Sequence, residues 1–248
     1  MKGRLALITG SSAGIGFGIA TGLARAGASV VLNARNAEKL EAAAAKLKRE
    51  GLSISTRAFD VTDGAATRAG IDAIEKEHGP LDILVNNAGT QHRRPLEEFP
   101  EAEWRRIMST NLDSVFLAGQ AAARHMIKRK SGKIINICSV MSELARPSIA
   151  PYAASKGGVK MLTRGMAADW GKHNIQVNGI APGYFKTELN QALAADEKFS
   201  AWIASRTPLG RWGEVEELQG AAVFLASRAS DFITGHILYV DGGITATV

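Results

Sequence analysis

The chain has 248 residues, of which 46% are hydrophobic and 22% are charged, a composition typical of a soluble globular protein with a large core. Its formal net charge of +6 suits an anionic cofactor and substrate as well as nucleic acid, but Lys and Arg are dispersed, so we expect no nucleic-acid partner. No apolar run reaches the ~18 residues that span a bilayer, and a single cysteine excludes an internal disulfide, which predicts a cytoplasmic protein without a membrane partner.

The first predicted unit is a strand, Leu5–Thr9, that leads through a glycine-rich turn into an apolar-periodic helix. The glycines follow a G-x-x-x-G-x-G spacing from Gly10 to Gly16. In such a turn the backbone N–H groups can approach a pyrophosphate at the positive end of the helix. The alternative is a tight turn between strand and helix without a ligand. We predict dinucleotide contacts from the turn at Gly10, Ser12, Gly14, Ile15 and Gly16.

The second predicted strand, Ser29–Asn33, ends beside a basic residue instead of an acidic one. Dinucleotide-binding units that prefer NAD place a carboxylate on the ribose 2′-hydroxyl about 20 residues past the glycines. Here that neighbourhood holds Asn33 and Arg35 but no carboxylate, and the planar guanidinium of Arg35 can pair with a 2′-phosphate. The sequence therefore favours NADP(H), with NAD(H) as the second option, and we predict cofactor contacts at Asn33 and Arg35. The alternative for Arg35 is a solvated surface arginine.

Two further predicted strands deliver polar or small residues to the same edge of the sheet. Strand Ile54–Phe59 precedes Asp60 and Val61, and the Asp60 carboxylate can either accept from an adenine amino group or cap the following helix. Strand Ile83–Val85 precedes Asn86-Asn87-Ala88-Gly89, whose small and amide side chains suit close approach of a ligand. We predict cofactor contacts from these segments at Asp60, Val61, Asn87, Ala88 and Gly89.

A long helix is predicted from about Glu101 to Lys130, with Asn111 in its interior. Asn is a poor helix former, and its side-chain amide in a helix often marks a local break or a bound water. We therefore expect the helix to be irregular around Asn111.

A further chemical signal lies between the predicted strand Ile134–Cys138 and the helix that Pro151 opens. The strand delivers Ser139 to a loop, and Tyr152 and Lys156 lie four residues apart on one face of the helix. A cation beside a phenol lowers its pKa, which is about 10 when unperturbed, and a serine hydroxyl can polarise a carbonyl oxygen. The set predicts proton transfer at a carbonyl oxygen, although Tyr and Lys at this spacing are also common on helix surfaces.

The C-terminal part continues the alternation, with predicted strands Ile175–Ile180 and Ile237–Val240 around a helix Val215–Ser227. Residues 186–211 are alanine-rich, of mixed charge and poorly periodic, which predicts a mobile helical lid over a site. We expect one α/β domain over residues 1–248, with a parallel sheet of about seven strands and helices on both faces. Its ligands should bind at the carboxyl ends of the strands. The histidines lack metal-ligand spacing, so no metal site is expected.

In chain order, these motifs resemble those of the short-chain dehydrogenases/reductases over essentially the whole length: Thr9-Gly10-(x3)-Gly14-Ile15-Gly16, Asp60, Asn86-Asn87-Ala88-Gly89, Asn111, Ser139, Tyr152-(x3)-Lys156 and Pro182-Gly183. The resemblance implies a doubly wound Rossmann fold and hydride transfer to or from a nicotinamide. It implies that Tyr152 is the general acid/base and that Lys156 lowers the tyrosine pKa and holds the nicotinamide ribose. Ser139 would position the substrate oxygen, and Asn111 would bind a water of the proton relay. The resemblance extends the predicted cofactor contacts to Tyr152, Lys156, Pro182, Gly183 and Thr187.

A finer resemblance points to the branch of that family that interconverts D-gluconate and 5-dehydrogluconate. It rests on three segments: Asn87–Pro95, Ser142–Pro147 and Gly183–Glu188. A sugar acid needs a cation for its carboxylate, and Arg93, Arg94 and Arg146 lie on loops that flank the predicted site. We expect these arginines to bind the substrate together with Ser139 and Tyr152. Each arginine can instead face solvent or a neighbouring subunit.

Other functions remain open at this point. One alternative is another carbonyl reductase of the family, of the 3-oxoacyl-acyl-carrier-protein or 2-deoxygluconate 3-dehydrogenase type. Another is a nucleotide-binding protein without turnover, against which the complete set of catalytic residues argues.

The resemblance also implies a homotetramer whose subunits pair through the helices around Val115–Arg124 and Ala153–Leu162. Both helices are apolar on more than one face, which calls for a second covering surface.

Overall fold

The computed structural model describes residues 1–247, apart from the side chain of Leu189, and shows a seven-stranded sheet. The strands are β1 (Leu5–Ile8), β2 (Ser29–Leu32), β3 (Ile54–Thr56), β4 (Leu81–Asn86), β5 (Gly132–Ile137), β6 (Ile175–Pro182) and β7 (Ile237–Val240). Their order across the sheet is β3-β2-β1-β4-β5-β6-β7, and each neighbouring pair is parallel. The predicted α/β architecture is confirmed.

Helices connect the strands and cover both faces of the sheet. They are α1 (Gly14–Arg25), α2 (Ala37–Arg49), α3 (Gly64–His78), α4 (Glu101–Met108), α5 (Ser114–Arg129), α6 (Ala150–Trp170), α7 (Gln191–Ala194), α8 (Glu197–Arg206) and α9 (Gln219–Ala226). One face packs on α1, α2 and α9 through residues such as Ile19 and Leu40. The other packs on α3, α5 and α6 through residues such as Ile71 and Val159. None of the helices within residues 1–247 combines the length and the hydropathy needed to cross a lipid bilayer.

A buried polar contact joins the centre of the sheet to α6. Asn86 Nδ2 donates to Asn136 Oδ1 over 2.9 Å, so the two amides link β4 to β5. Asn136 Nδ2 in turn donates to Thr163 Oγ1 of α6, also over 2.9 Å. A buried amide without a partner is costly, so this contact favours one placement of α6 on the sheet. The same helix carries Tyr152 and Lys156.

The strand order reverses between β1 and β4, which lie side by side in the sheet. The chain proceeds from β1 to β2 and β3 on one side, and from β4 to β5, β6 and β7 on the other. Open parallel sheets bind ligands in the crevice that such a reversal leaves at the carboxyl ends of the strands. The segments that begin at Thr9 and Asn87 border this crevice.

The predicted long helix is interrupted at the expected place. α4 ends at Met108, a π-helical turn covers Ser109–Asp113, and α5 begins at Ser114. Asn111 lies inside this turn, which confirms the irregularity predicted from it. Single π-helical turns inserted between α-helical segments occur frequently at functional sites.

Two details around β3 differ from the prediction. The strand ends at Thr56 instead of Phe59, because its neighbour β2 ends at Leu32, the pairing partner of Thr56. Asp60 does not cap the following helix, so that interpretation is wrong. Asp63 caps α3 instead, accepting from two first-turn backbone N–H groups over 2.8 and 3.0 Å, since it is the residue that directly precedes the helix.

Candidate active site

A cavity of about 650 Å³ opens at the carboxyl ends of the strands, and the segments after β1 to β6 all contribute to its wall. Most predicted site residues line it: Gly10, Gly14, Ile15, Asn33, Arg35, Asp60, Val61, Asn87, Ala88, Gly89, Arg93, Ser139, Arg146, Tyr152, Lys156, Pro182, Gly183 and Thr187. The predicted residues outside the wall are Ser12, Gly16, Arg94 and Asn111. The structure thus brings candidates for cofactor binding, catalysis and substrate binding into one cavity.

The glycine-rich turn is held against the segment after β4 by Asn87. Its Nδ2 donates to the carbonyl oxygens of Thr9 and Gly10 over 3.0 and 2.9 Å. Gly10 has a φ of +61°, and a Cβ there would lie 2.8 Å from the Cα of Ala88. A Cβ on Gly16 would clash with the Asn87 amide. Gly16 therefore lets α1 pack against the turn, whereas Gly10 forms part of the cavity wall.

Two charged side chains meet at the edge of the cavity, after β2 and β3. Arg35 Nη1 lies 3.6 Å from Asp60 Oδ2, and the Arg35 side chain is 76% exposed. Asp60 Oδ1 accepts from the backbone N and the Oγ1 of Thr62 over 2.9 and 2.7 Å. Burial acts to raise the pKa of the Asp60 carboxyl, but these hydrogen bonds and the Arg35 charge outweigh it and lower the pKa. The edge therefore presents a fixed carboxylate and an exposed guanidinium.

Asn33 holds the ends of β2 and β3 together beside this pair. Its Nδ2 donates to the carbonyl oxygens of Arg57 and Phe59 over 3.0 and 3.2 Å. Its backbone N–H donates to Ser11 Oγ over 3.0 Å, which connects it to the glycine-rich turn. Both hydrogens of the Asn33 side-chain amide are thus used within the protein. The Asn33 side chain therefore supports the cavity wall and has no amide hydrogen left to donate to a ligand.

Ser139, Tyr152 and Lys156 meet in the cavity wall. Lys156 Nζ donates to the Ile137 carbonyl oxygen over 2.6 Å and lies 5.9 Å from the centroid of the Tyr152 ring. Ser139 Oγ accepts from the backbone N of Met141 over 3.1 Å. The serine hydroxyl keeps its own proton for another acceptor, so it can donate to a ligand oxygen.

Burial controls the pKa values of the two titrating groups in this set. It lowers the pKa of Lys156 to about 8. It raises the pKa of Tyr152, although a contact with Ser139 opposes the shift. The net shift of Tyr152 is opposite to the lowering that the sequence predicts, because desolvation of the buried phenolate outweighs the hydrogen bond with Ser139.

Asn111 lies behind the cavity wall and supports it. Its Oδ1 accepts from the backbone N of Thr90 over 2.7 Å, and its Nδ2 donates to the Thr90 carbonyl over 2.9 Å and to Ser155 Oγ over 3.0 Å. Thr90 lines the cavity and follows β4, whereas Ser155 lies on α6. Asn111 therefore fixes the loop after β4 relative to the helix that carries Tyr152 and Lys156.

Two arginines converge on the cavity from separate loops. Arg93 follows β4 and Arg146 follows β5, and both line the wall. Among the residues that the structure describes, neither forms an ion pair with a carboxylate. Burial and the charge of Arg146 both lower the pKa of Arg93. Arg94 is exposed outside the wall, and its backbone N donates to the Ser148 carbonyl over 3.2 Å.

Tyr184 completes this part of the wall and is a site residue that sequence reasoning missed. It follows β6, and its ring lines the cavity. Its hydroxyl oxygen is buried and has no hydrogen-bond partner within the described part of the chain. Two sequence signals pointed to it: its position after Gly183, at the carboxyl end of a strand, and its place in the Gly183–Glu188 segment of the finer resemblance.

The segment predicted to form a lid, residues 186–211, contains a 3₁₀ turn (Glu188–Asn190), α7 and α8. The ring centroid of Phe199 in α8 lies 5.8 Å from that of Tyr184. Trp212, which follows the segment, lies 5.7 Å from the same ring, and Arg146 Cζ lies 5.5 Å from the Phe199 centroid. The segment therefore rests on the end of the cavity that holds the arginines. Its movement stays a prediction.

Comparison with known proteins finds relatives along the whole chain. A family model described as Enoyl-(Acyl carrier protein) reductase matches residues 10–245. The chain is 61% identical over its full length to a gluconate 5-dehydrogenase of Gluconobacter oxydans, of which it covers 97%. It is 56% identical over its full length to a 5-keto-D-gluconate 5-reductase of Escherichia coli, of which it covers 98%. A crystal structure of a gluconate 5-dehydrogenase from Burkholderia cenocepacia in complex with NADP and tartrate has a TM-score of 0.98 and 58% identity, covering 100% of this chain and 97% of that one.

Proposed function

The chain belongs to the short-chain dehydrogenase/reductase family, and on that basis we propose that it transfers a hydride between NADP(H) and a sugar acid, interconverting D-gluconate and 5-dehydro-D-gluconate. One observation carries the choice of a sugar acid. Arg93 and Arg146, without a carboxylate partner among the described residues, line the same cavity as Ser139 and Tyr152. Paired guanidinium groups are well suited to a carboxylate, and relatives of more than half identity are named for this reaction. The direct test is NADPH consumption on addition of 5-dehydrogluconate.

The cavity has the features that a dinucleotide requires. The backbone approaches the cavity at Gly10, where a side chain would not fit, and Gly14 and Ile15 line the wall at the N-terminus of α1. The residues that would hold NADP(H) are Gly10, Gly14, Ile15, Arg35, Asp60, Val61, Asn87, Ala88, Gly89, Tyr152, Lys156, Pro182, Gly183 and Thr187. When bound, the nicotinamide supplies or accepts the hydride. The relative crystallised with NADP supports this choice of cofactor.

Tyr152 and Ser139 act on the substrate oxygen in this proposal. In reduction, Tyr152 donates its phenolic proton to the carbonyl oxygen, and Ser139 donates a hydrogen bond to the same oxygen. Burial raises the pKa of Tyr152 and so keeps the phenol protonated at neutral pH, which is the form that an acid must have. In oxidation, the phenolate accepts the proton of the alcohol.

Lys156 and Asn111 serve the proton supply. An ammonium group has three donors, and Lys156 uses one of them on the Ile137 carbonyl. We assign the others to the nicotinamide ribose and to a water held near Asn111, through which the proton of Tyr152 is replaced. The side chains of Lys156 and Asn111 both approach Gly89. A Cβ built on that glycine would be 3.8 Å from Lys156 Nζ and 3.5 Å from Asn111 Oδ1.

Arg35→Ala is expected to raise KM for NADPH by about tenfold to a hundredfold and KM for NADH much less, because only NADPH carries the 2′-phosphate that the guanidinium binds. Initial rates with each cofactor at saturating 5-dehydrogluconate measure this. Arg105→Ala is the matched control, since its side chain is 75% exposed against 76% for Arg35 and lies on α4, outside the cavity wall. Equal losses for both cofactors would contradict the role of Arg35.

The rate of reduction is expected to fall as pH rises through about 8, the pKa to which burial lowers Lys156. Below that pH the lysine is charged and Tyr152 is protonated, so both groups are in the form that reduction needs. Above it the lysine becomes neutral and its charge at the nicotinamide ribose is lost. The measurement is kcat/KM against pH, and Lys156→Arg should abolish the fall in whatever activity it retains because an arginine stays charged. A rate of reduction that climbs through this range would contradict the assignment.

We also propose a homotetramer in the cytoplasm, with subunits paired through α5 and α6. Each helix leaves a large apolar side chain in solvent: Phe116 is 46% exposed and Met161 is 59% exposed. A partner helix that covers them would remove this apolar surface from water. The buried free Cys138 suits a reducing compartment. Light scattering should give the mass of four chains at micromolar concentration, and a stable monomer would contradict the pairing.

A further inference from the structure

Tyr184 presents a buried hydroxyl that the fold does not use. Its oxygen has no hydrogen-bond partner among the described residues, although its ring lines the cavity. Buried hydroxyls are nearly always paired, because an unpaired one loses the hydrogen bonds that water would offer. The aromatic neighbours Phe199 and Trp212 hold the ring edge-on, at centroid distances of 5.8 and 5.7 Å. The hydroxyl is therefore placed in one direction by packing and not by a partner.

The charged groups around this hydroxyl are cations. The charges of Arg146 and Arg93, and an approach of the Arg146 guanidinium to the Tyr184 oxygen that is too loose to satisfy it, oppose the rise in its pKa that burial causes. Burial prevails, so the phenol remains a neutral donor at neutral pH. A guanidinium offers only donors. The Tyr184 hydroxyl and the two guanidinium groups are therefore three neighbouring hydrogen-bond donors, and neither arginine is paired with a carboxylate in the described part of the chain. A ligand that carries an acceptor completes this arrangement.

We propose that Tyr184 is a specificity-determining residue whose hydroxyl, together with Arg93 and Arg146, binds the carboxylate of the substrate. This proposal rests on the proposed function and adds the third donor of the carboxylate site. A carboxylate has two oxygens with about four acceptor positions, enough for two guanidinium groups and one hydroxyl. A neutral amide in the same place offers a single oxygen and an NH₂ group that would face the cations. Tyr184 should therefore favour the acid over its amide.

The test compares binding of D-gluconate and of the neutral D-gluconamide to the complex of the full-length protein with NADPH, in which no turnover occurs. Calorimetry gives both Kd values for the unchanged protein and for Tyr184→Phe, which keeps the aromatic packing and removes only the hydroxyl. We expect the Kd of gluconate to rise about tenfold or more and that of gluconamide to change less than about twofold. Tyr239→Phe is the matched control, because the Tyr239 hydroxyl donates to Glu143 over 2.8 Å and lies outside the cavity wall.

Equal weakening of both ligands by Tyr184→Phe, or no weakening, would overturn the proposal. It would also be overturned if the unchanged protein bound gluconate no tighter than gluconamide. The proposed function fails separately: tight gluconate binding that depends on Tyr184, without turnover of 5-dehydrogluconate by NADPH, would leave the carboxylate site standing and refute the reaction. A thermal melt of each variant checks that the fold is retained before binding is compared.

Discussion

Tyr152→Phe is expected to lower kcat for the reduction of 5-dehydrogluconate by about a thousandfold, within the range of about 10²–10⁴ that general acid catalysis contributes. The substitution removes the one proton that the mechanism delivers to the substrate oxygen and keeps the ring. Ser139 and the bound cofactor remain, so a residual rate should persist. NADPH binding, followed by the change in its fluorescence, should weaken only slightly because Lys156 still donates to the Ile137 carbonyl and keeps its place.

The control for this result is another tyrosine of the same sheet region. Tyr239→Phe removes a hydroxyl that donates a hydrogen bond to Glu143 and lies outside the cavity wall. The kcat of this variant should stay within about twofold of that of the unchanged enzyme. If Tyr152→Phe retained more than about a tenth of the activity, the phenol would not be the acid. A loss of NADPH binding in proportion to the loss of kcat would instead mean that the substitution damages the cofactor site.

The double variant Arg93→Ala with Arg146→Ala is expected to raise KM for 5-dehydrogluconate by about a hundredfold or more, since a charge-assisted hydrogen bond contributes roughly 1.5–3 kcal/mol. The KM for its neutral amide should change little, because the amide has no charge for the arginines to bind. The two arginines reach the cavity from different loops, so each can still bind the carboxylate when the other is removed. Each single variant should therefore lose less than half of the binding free energy that the double variant loses.

Arg94→Ala tests whether an arginine must line the cavity to bind the substrate, or whether a position next to Arg93 in the sequence is enough. Arg94 directly follows Arg93 and both side chains are exposed, but only Arg93 lines the cavity. Its replacement should change KM by less than about threefold, the range usual for exposed residues. An effect of Arg94→Ala as large as that of Arg93→Ala would contradict the placement of the carboxylate. Equal effects of the double variant on the acid and the amide would contradict it as well.

The sheet and its crevice follow from the sequence because parallel strands are short apolar runs and their loops carry the small and polar residues. β1 is followed by the glycine-rich turn and β4 by the Asn87 segment, and adjacency of these two strands brings both to one place. The interruption at Asn111 is also readable, since a residue that disfavours helix interiors stands in a long helical pattern.

The roles of individual polar side chains are harder to predict from the sequence. Asp60 and Asp63 are both reasonable helix caps by residue type, and only the position at which α3 begins decides between them. Arg93 and Arg94 are equivalent in the sequence, and the turn of the loop after β4 decides which of them faces the cavity. The position of the Tyr184 ring depends on contacts with residues outside its own loop, such as Phe199 of α8, and the local sequence pattern does not predict these contacts.

The direction in which the Tyr152 pKa shifts is the property that the sequence does not predict correctly. Spacing to Lys156 suggests a lowered pKa, but spacing does not report burial, and burial raises the pKa of the phenol while it lowers that of the lysine. The consequence is functional: the tyrosine is held ready as a proton donor, which suits reduction of the ketone.

The most direct test of the central claim is kcat/KM for NADPH-linked reduction of 5-dehydrogluconate, measured beside an acetoacetyl thioester under the same conditions. The arginines in the cavity predict that the sugar acid is preferred by about a hundredfold or more. Preference for the thioester, or equal turnover of the two, would contradict a carboxylate-binding site and leave a carbonyl reductase of the same family with a different substrate.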